Sequence, residues 1–141
     1  MTQQALPVDD RKVYEYTKTI TDEDIQNFAK ATGDYQPLHV SDDKAAKSRF
    51  KKRIAHGILT AGLVSTVLGM KVAPNHVVIY MGQTLQFLAP VYVGDTLTAS
   101  LKVISVNAPR GQYTFAASVK NQDGVEVIKG ETRAMIEPYE L

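Results

Sequence analysis

The sequence predicts an α+β domain in which a curved, five-stranded antiparallel sheet wraps around one buried helix. Residues 54–70 are seventeen consecutive residues without a formal charge, as expected of a helix at the centre of a domain. Residues 12–20 precede this stretch and show the alternation of a strand. Four further strand-like segments follow it, at residues 77–88, 96–106, 112–120 and 125–136.

The composition indicates one ordinary globular domain over residues 1–141. The sixteen Lys and Arg residues almost balance the fifteen Asp and Glu residues, which argues against a nucleic-acid partner. The chain has no cysteine, so disulfides, thiolate nucleophiles and cysteine-ligated metals are excluded. The first ten residues lack a basic run followed by an apolar segment, so we expect no signal peptide and a cytoplasmic location.

The first predicted strand has three apolar side chains on one side, namely Tyr14, Tyr16 and Ile20. A helix is then expected from Thr21, a good N-cap, to Gly33, where a left-handed residue costs little. The predicted inward face of this helix consists of Ile25, Phe28, Ala29 and Thr32. Ser41 is expected to cap a second short helix that runs to about Phe50.

The central uncharged stretch, Ile54 to Met70, is shorter than the roughly twenty apolar residues that a membrane span needs. It also contains His56, Ser65 and three glycines, among other non-aliphatic residues. We therefore interpret it as a buried helix and expect no membrane partner.

The four later strands are separated by short segments rich in Gly, Pro, Asn and Asp, which are typical of turns. These short connections predict that the four strands are antiparallel neighbours in chain order. The alternation changes phase between Val127 and Ile128, which predicts a β-bulge. Such a sheet has open edges, and pairing with a second copy would cover them.

An acid and an imidazole, Asp34 and His39, lie five residues apart in a loop shaped by Gly33 and Pro37. Carboxyl groups and imidazoles titrate at about pH 4 and about pH 6.5, so together they could activate water at neutral pH. In the alternative interpretation, Asp34 forms an Asx turn after the helix and His39 is simply a polar loop residue.

His56 and Gly57 stand at the start of the predicted central helix, where unpaired amides and the helix dipole favour an anion. The N–H group of Gly57 could polarise a carbonyl or hold an oxyanion. Alternatively, Gly57 only begins the helix and His56 only caps it.

A basic run of six residues could bind the phosphates of a nucleotide-like carrier or an acidic carrier protein. Such runs more often form a solvated surface. The run consists of Lys44, Lys47, Arg49, Lys51, Lys52 and Arg53.

We expect no metal site, because His39, His56 and His76 show no short ligand spacing. Ser65 lacks the Gly-x-Ser-x-Gly context of a serine hydrolase. It could instead line a pocket entered near Gly57, because an ideal helix places it on one face with Ile58, Ala61 and Gly62.

Three motifs resemble those of the MaoC-like hot-dog family, and the (R)-specific enoyl-CoA hydratases in particular. The resemblance extends in order from about residue 14 to the C-terminus. The motifs are Phe28-Ala-x-x-Thr-Gly-Asp34-x-x-Pro37-x-His39, Phe50-x-x-x-Ile54-Ala-His56-Gly57 and Tyr80-x-Gly-Gln-x-Leu-x-Phe87-x-x-Pro90-Val-x-x-Gly94-Asp95.

The resemblance implies a hot-dog fold, assembled as a homodimer or a higher homo-oligomer. It implies that Asp34 and His39 are the catalytic pair, that Gly57 polarises the thioester carbonyl, and that Ser65 and His56 contact the substrate. The implied reaction is reversible syn addition of water to a trans-2-enoyl-CoA, giving (R)-3-hydroxyacyl-CoA, with no cofactor other than the coenzyme A of the substrate.

The sequence departs from the family pattern at Gln36, where Asn is usual, and at Arg53, where many members have Pro. Three alternatives remain open beside the hydratase. They are a 3-hydroxyacyl-carrier-protein dehydratase that takes its substrate from an acyl-carrier protein, an acyl-CoA thioesterase, and a non-catalytic acyl-thioester-binding subunit.

Overall fold

A computed structural model describes residues 6–140 of the chain. The prediction about a signal peptide therefore falls partly outside the described residues. In chain order the elements are β1 (Val13–Thr19), α1 (Asp22–Thr32), α2 (Pro37–Val40), α3 (Asp42–Ala46), α4 (Gly57–Met70), β2 (His76–Phe87), β3 (Thr96–Asn107), a 3₁₀ turn (Ala108–Arg110), β4 (Gln112–Lys120) and β5 (Glu126–Pro138).

The five strands form one antiparallel sheet in the order β1-β3-β4-β5-β2, which confirms the predicted sheet and helix architecture. The prediction that β2 lies beside β3 was wrong, because β2 pairs with β5 instead. The connection at residues 88–95 can span roughly 26 Å when extended. The three strand spacings it must cross amount to only about 14 Å. The connection is therefore long enough to join β2 and β3 although they are not neighbours in the sheet.

A β-bulge lies in β5 where the sequence predicts one. Val119 pairs with Ile128, whereas the next residue, Lys120, pairs with Glu126. Val127 is thus the extra residue, and both Val127 and Ile128 are buried. The bulge turns two consecutive apolar side chains away from water.

Helix α1 begins and ends where the sequence predicts. Thr21 and Asp24 form a reciprocal capping box, and Gly33 ends the helix with a φ of 82°. Ile25 and Ala29 are buried, as expected. The inclusion of Thr32 in the inward face was wrong, because its exposed hydroxyl donates to the carbonyl of Phe28 at 2.8 Å.

Helix α3 is shorter than predicted. Ser41 caps it, accepting a hydrogen bond from the N–H of Lys44 at 3.2 Å. The helix ends at Ala46 and not near Phe50. The hydroxyl of Ser48 donates to the carbonyl of Ala45 and accepts from the N–H of Phe50. These local bonds compete with helical ones and turn the chain.

The central helix, α4, starts at Gly57 and not at Ile54. Ile54 forms a β-bridge with Tyr92, and the N–H of Ala55 donates to the carbonyl of Val91 at 2.7 Å, so this segment is extended. One face of α4 packs against the sheet. The other face is exposed in the single chain, where Ile58 is 60% accessible. The prediction that this helix is buried on all sides was therefore correct for one face only.

None of the helices formed by residues 6–140 combines the length and apolar character that crossing a bilayer requires.

The close approach of β5 to β2 predicts that Gly130→Ala is strongly destabilising. A Cβ atom at Gly130 would lie 1.9 Å from the carbonyl oxygen of Thr84 and 2.9 Å from the Cα atom of Leu85. Both are backbone atoms of the paired strand, so the sheet itself must shift. We expect urea denaturation to show a loss of about 3 kcal/mol in the free energy of unfolding.

Gly82→Ala is the matched control in the same strand pair, because a Cβ atom there would meet only the guanidinium of Arg133, at 3.7 Å. At equal protein concentration this variant should lose less than about 1 kcal/mol. Equal losses in the free energy of unfolding of the two variants would contradict the close approach of β5 to β2 at Gly130.

Candidate active site

The loop after α1 carries Asp34 and His39 and is shaped as the sequence predicts. The left-handed Gly33 reverses the chain, and Pro37 is the first residue of the short helix α2. An Oδ atom of Asp34 accepts a hydrogen bond from the N–H of Gln36 at 3.2 Å, so the Asx turn exists. It does not exclude a chemical role, since Asp34 is exposed and retains free acceptor positions.

The ring of His39 is held in one tautomer. Its Nδ1 atom lies 2.7 Å from the carbonyl oxygen of Ile54. A carbonyl oxygen only accepts hydrogen bonds, so in the neutral ring the proton is on Nδ1 and the lone pair is on Nε2. The residue is 8% exposed, so a small part of its surface is accessible. His39 therefore presents an unprotonated nitrogen that can accept a proton.

His56 lies behind this pair. It is buried, its Nε2 atom donates to the backbone carbonyl of Asp34 at 3.0 Å, and its ring stacks on that of His39 with centroids 4.0 Å apart. The ring of Phe28 packs against it with centroids 4.7 Å apart. His56 makes no capping bond to α4, so that alternative was wrong. Its Nδ1 atom has no hydrogen-bond partner among residues 6–140.

Asp34, His39 and His56 each offer one ligand atom, and these atoms lie within 4.8 Å of one another. Sequence spacing did not predict this convergence, because His56 is seventeen residues from His39. The two imidazole planes differ by only 29°. Ring lone pairs lie in the ring planes, so those of two stacked rings lie in separate, nearly parallel planes, whereas the ligands of a tetrahedral zinc ion must point at one common centre. The cluster therefore suits proton transfer better than metal binding.

Gly57 is the first residue of α4, so its N–H has no acceptor within the helix and lies at the positive end of the helix dipole. A Cβ atom here would lie 2.8 Å from the ring of Phe87. Glycine is thus the residue that allows both this packing and the approach of a ligand to the amide.

A cavity of about 460 Å³ adjoins this helix end. His39 and Gly57 are both on its wall. Most of the remaining wall is apolar and includes Phe50, Ile54, Ile58, Phe87, Leu88 and Val127. The cavity can accordingly receive an apolar or amphipathic ligand against a basic nitrogen and a free amide.

Asp34, His56 and Ser65 do not line this cavity in the single chain. Asp34 is exposed, and one of its carboxylate oxygens lies within 4.8 Å of a ring nitrogen of His39. His56 is buried behind His39, so we do not place it in contact with a substrate. Ser65 is exposed on the outer face of α4, which it shares with Ile58 and Gly62, whereas Ala61 faces the core.

The basic run is not a uniform solvated surface. Arg49 lies over the ring of Phe50 and contributes to the cavity wall, and the amino group of Lys52 lies 5.2 Å from the ring centroid of Tyr92. Arg53 is directed inward, with a side chain 15% exposed, and forms ion pairs. No local sequence pattern indicates these pairs, because the acidic partners, Asp42 and Asp22, are 11 and 31 residues away along the chain.

A family model described as the MaoC like domain matches residues 4–125. The chain belongs to the MaoC-like family. This MaoC-like chain is 41% identical over 119 residues to an (R)-specific enoyl-CoA hydratase of Rhodospirillum rubrum, an alignment that covers 84% of this chain and 81% of the relative. It is 40% identical over 114 residues to a 3-hydroxybutyryl-CoA dehydratase of Methylorubrum extorquens, with 81% and 71% coverage.

Among solved structures, the MaoC-like chain is similar to the R-hydratase PhaJ1 of Pseudomonas aeruginosa in its unliganded form. The TM-score is 0.82 at 39% sequence identity, and the superposition covers 92% of this chain and 81% of that one. The sheet wrapped around α4 is the hot-dog fold, as the sequence motifs implied.

The packing at the start of α4 predicts that Gly57→Ala reduces activity without unfolding the protein. The ring of Phe87 is half exposed and can swing away from the added methyl group. Because both residues line the cavity, the displaced ring should obstruct it. We expect kcat/KM toward an enoyl thioester to fall about 100-fold, the cost typical of a misplacement near 1 Å.

Combining Gly57→Ala with Phe87→Leu tests this cause, because the smaller side chain removes the ring. Activity should recover at least in part, while Phe87→Leu alone stays near wild type. No recovery in the double variant would mean that the methyl group acts on the amide directly.

Proposed function

We propose that the chain is an enoyl-CoA hydratase, a hydro-lyase that reversibly adds water to trans-2-enoyl-CoA to give (R)-3-hydroxyacyl-CoA. The observation that carries this proposal is the fixed tautomer of His39, which leaves a basic nitrogen beside Asp34 and on the wall of the cavity. The names of the relatives in Rhodospirillum rubrum and Methylorubrum extorquens support the same class of reaction. The chain acts as a single hot-dog domain.

Asp34 and His39 are spaced to hold one water molecule. A carboxylate oxygen of Asp34 and a ring nitrogen of His39 lie within 4.8 Å of each other. Two hydrogen bonds of about 2.8 Å meeting at a tetrahedral oxygen span about 4.6 Å. A water donating to Nε2 of His39 and to the carboxylate of Asp34 would therefore satisfy both groups and be oriented by them.

The reaction then needs two proton transfers, one from the water to His39 and one to C2 of the substrate. Nε2 of His39 removes a proton from the water as the oxygen bonds to C3 of the substrate, and the electrons of the C2–C3 double bond move toward the thioester carbonyl. The N–H of Gly57 stabilises the negative charge that develops on that oxygen. The proton returns to C2 on the same face, and the dehydration direction reverses these steps.

This chemistry needs no cofactor beyond the coenzyme A portion of the substrate, because the carbonyl itself accepts the electron pair. Arg49 extends the positive charge to the wall of the cavity. We assign it, with the neighbouring Lys51 and Lys52, to the phosphates of the carrier. The same charges suit an acyl-carrier protein, which remains the second candidate carrier.

Two other functions remain possible for this architecture. A thioesterase would release free coenzyme A, and a non-catalytic subunit would bind thioesters without turnover. The oriented His39 base beside Asp34 favours hydration over simple binding, because binding alone needs no proton acceptor held in one tautomer.

The proposal predicts that purified protein removes the conjugated enoyl-thioester absorbance of crotonyl-CoA and accumulates (R)-3-hydroxybutyryl-CoA, established by chiral analysis. Asp34→Asn and His39→Ala should each lower kcat by at least about 100-fold, because each removes a group that handles the water or its proton. Asp123→Asn, in an exposed turn, and His76→Ala, outside the cluster, are the matched controls.

Wild-type rates in both site variants would exclude this pair from the mechanism. Release of free coenzyme A would identify a thioesterase. Thioester binding without turnover on short, medium and carrier-protein-bound substrates would identify a binding subunit.

We further propose that the chain functions as a homodimer. β2 is an edge strand, pairing on one side with β5, and it exposes Ile79 and Met81 by 38% and 41%. The outer face of α4 exposes Ile58. A second copy that covers the edge of β2 and this face would also bring the exposed Ser65 into contact with the partner. The substrate-contact role expected for Ser65 depends on that assembly.

Sedimentation velocity should accordingly give twice the chain mass of 15.5 kDa. Replacing both Ile79 and Met81 with Arg should shift the protein toward the monomer, because two buried like charges would face their symmetry mates. Ile104→Arg is the control, since Ile104 is 51% exposed on the interior strand β3. A monomeric wild type, or equal effects of both variants, would contradict this interface.

A further inference from the structure

The guanidinium of Arg53 joins three separate segments around the candidate site. Its Nη1 atom lies 2.6 Å from an Oδ atom of Asp22, in the first turn of α1, and its Nε atom lies 2.8 Å from an Oδ atom of Asp42, in the first turn of α3. Nη1 also donates to the backbone carbonyl of His39 at 3.2 Å. One side chain thus connects α1, α2 and α3.

Arg53 and the adjacent Ile54 together make two hydrogen bonds with His39. Residue 53 is bonded covalently to Ile54, whose carbonyl accepts the hydrogen bond from Nδ1 of His39. The side chain of Arg53 returns to the main-chain carbonyl of His39. The imidazole of His39 is therefore hydrogen-bonded to Ile54, and the side chain of the preceding residue, Arg53, binds the backbone of the same histidine. Neither the ring nor its backbone can shift without stretching one of these two bonds.

We infer that Arg53 is a positioning residue that keeps the Nε2 atom of His39 directed toward the water site, an inference that rests on the proposed function. Arg53 is not among the residues that line the cavity. It acts through the carbonyl of His39 and through the segment that leads to Gly57.

The electrostatics of the cluster agree with this role. The hydrogen bond from Arg53 lowers the pKa of Asp22, although partial burial opposes the shift. The same hydrogen bond, which Arg53 donates to Asp22, raises the pKa of Arg53. Both acidic partners stand in the first turn of a helix, where the helix dipole also favours a negative charge. Asp22 and Arg53 are therefore both ionised at neutral pH, and their ion pair is maintained there.

The geometry also explains why arginine and lysine differ at this position. The planar guanidinium offers donors in several fixed directions, here used toward three acceptors. The ammonium of lysine is a single point on a flexible stem, and it cannot reach acceptors on three segments with the same geometry. Lysine should therefore preserve the charge of the cluster but only part of the positioning.

The test compares Arg53→Met, Arg53→Lys and the control Arg11→Met, whose side chain is 89% exposed. Asp22 and Asp42 are themselves 52% and 87% exposed, so water can solvate them when Arg53 is lost, and Arg53→Met should fold. We expect its kcat on crotonyl-CoA to fall on the order of 10- to 100-fold. KM should change less than about twofold because the cavity wall is intact, and Arg53→Lys should be intermediate.

A second readout is independent of turnover. Long-range proton–nitrogen spectra of protein carrying ¹⁵N-labelled histidine distinguish the Nδ1–H and Nε2–H tautomers. His39, assigned by comparison with His39→Ala, should be the Nδ1–H form in the wild type and in Arg11→Met. In Arg53→Met it should become a mixture of both, and in Arg53→Lys the mixture should be smaller.

An unchanged His39 signal in folded Arg53→Met and Arg53→Lys would overturn the inference, whatever the rates. A loss of kcat without a change at His39 would overturn it too. If Arg53→Met fails to fold, Arg53→Lys and Asp42→Asn decide the question by the same spectra. If the wild type does not hydrate enoyl thioesters, the proposed function fails, while the spectra still test the positioning.

Discussion

The hydrogen bond from Nδ1 of His39 to the carbonyl of Ile54 determines what the candidate site can do. It selects the neutral tautomer and so decides which nitrogen is available as a base. It also joins the loop that carries Asp34 and His39 to the extended segment that immediately precedes α4. The distance between the base and the free amide of Gly57 is therefore set by three residues of chain, which leaves little freedom for relative motion.

Helix α4 serves two purposes that impose opposite demands on its sequence. Its inner face must be apolar to fill the sheet, and Val64, Val67 and Leu68 are almost completely buried there. Its first turn must leave an amide open and admit a ligand closely, which requires Gly57 beside Phe87. Its outer face keeps Ile58 and Gly62 exposed, small or apolar residues that a solvated helix surface would not need. The homodimer proposed above would reconcile these demands, because a second copy would convert the outer face into an interior one.

Local signals in the sequence were enough to predict the strands, the cap at Thr21, the left-handed Gly33 and the bulge at Val127. Each of these depends on residues adjacent in the chain. The position of β2 was not predictable in this way, because pairing with β5 is decided by packing across the whole sheet. The same holds for His56 and Arg53, whose bonds reach residues 22 and 31 positions away along the chain. Sequence spacing identified the pair of Asp34 and His39 but not the backbone carbonyls that orient it.

The placement of the pair on one loop bears on the stereochemistry of the reaction. Asp34 and His39 are separated by a single turn and the start of α2, and their side chains lie within 4.8 Å of each other, so both would meet a substrate in the cavity from the same side. A water held between them can reach only the face of the double bond that is turned toward the loop. In the proposed reaction the proton would leave and return through groups on that side, so the addition would be syn, as the family resemblance implies. The orientation of the thioester carbonyl at Gly57 would then decide which enantiomer forms.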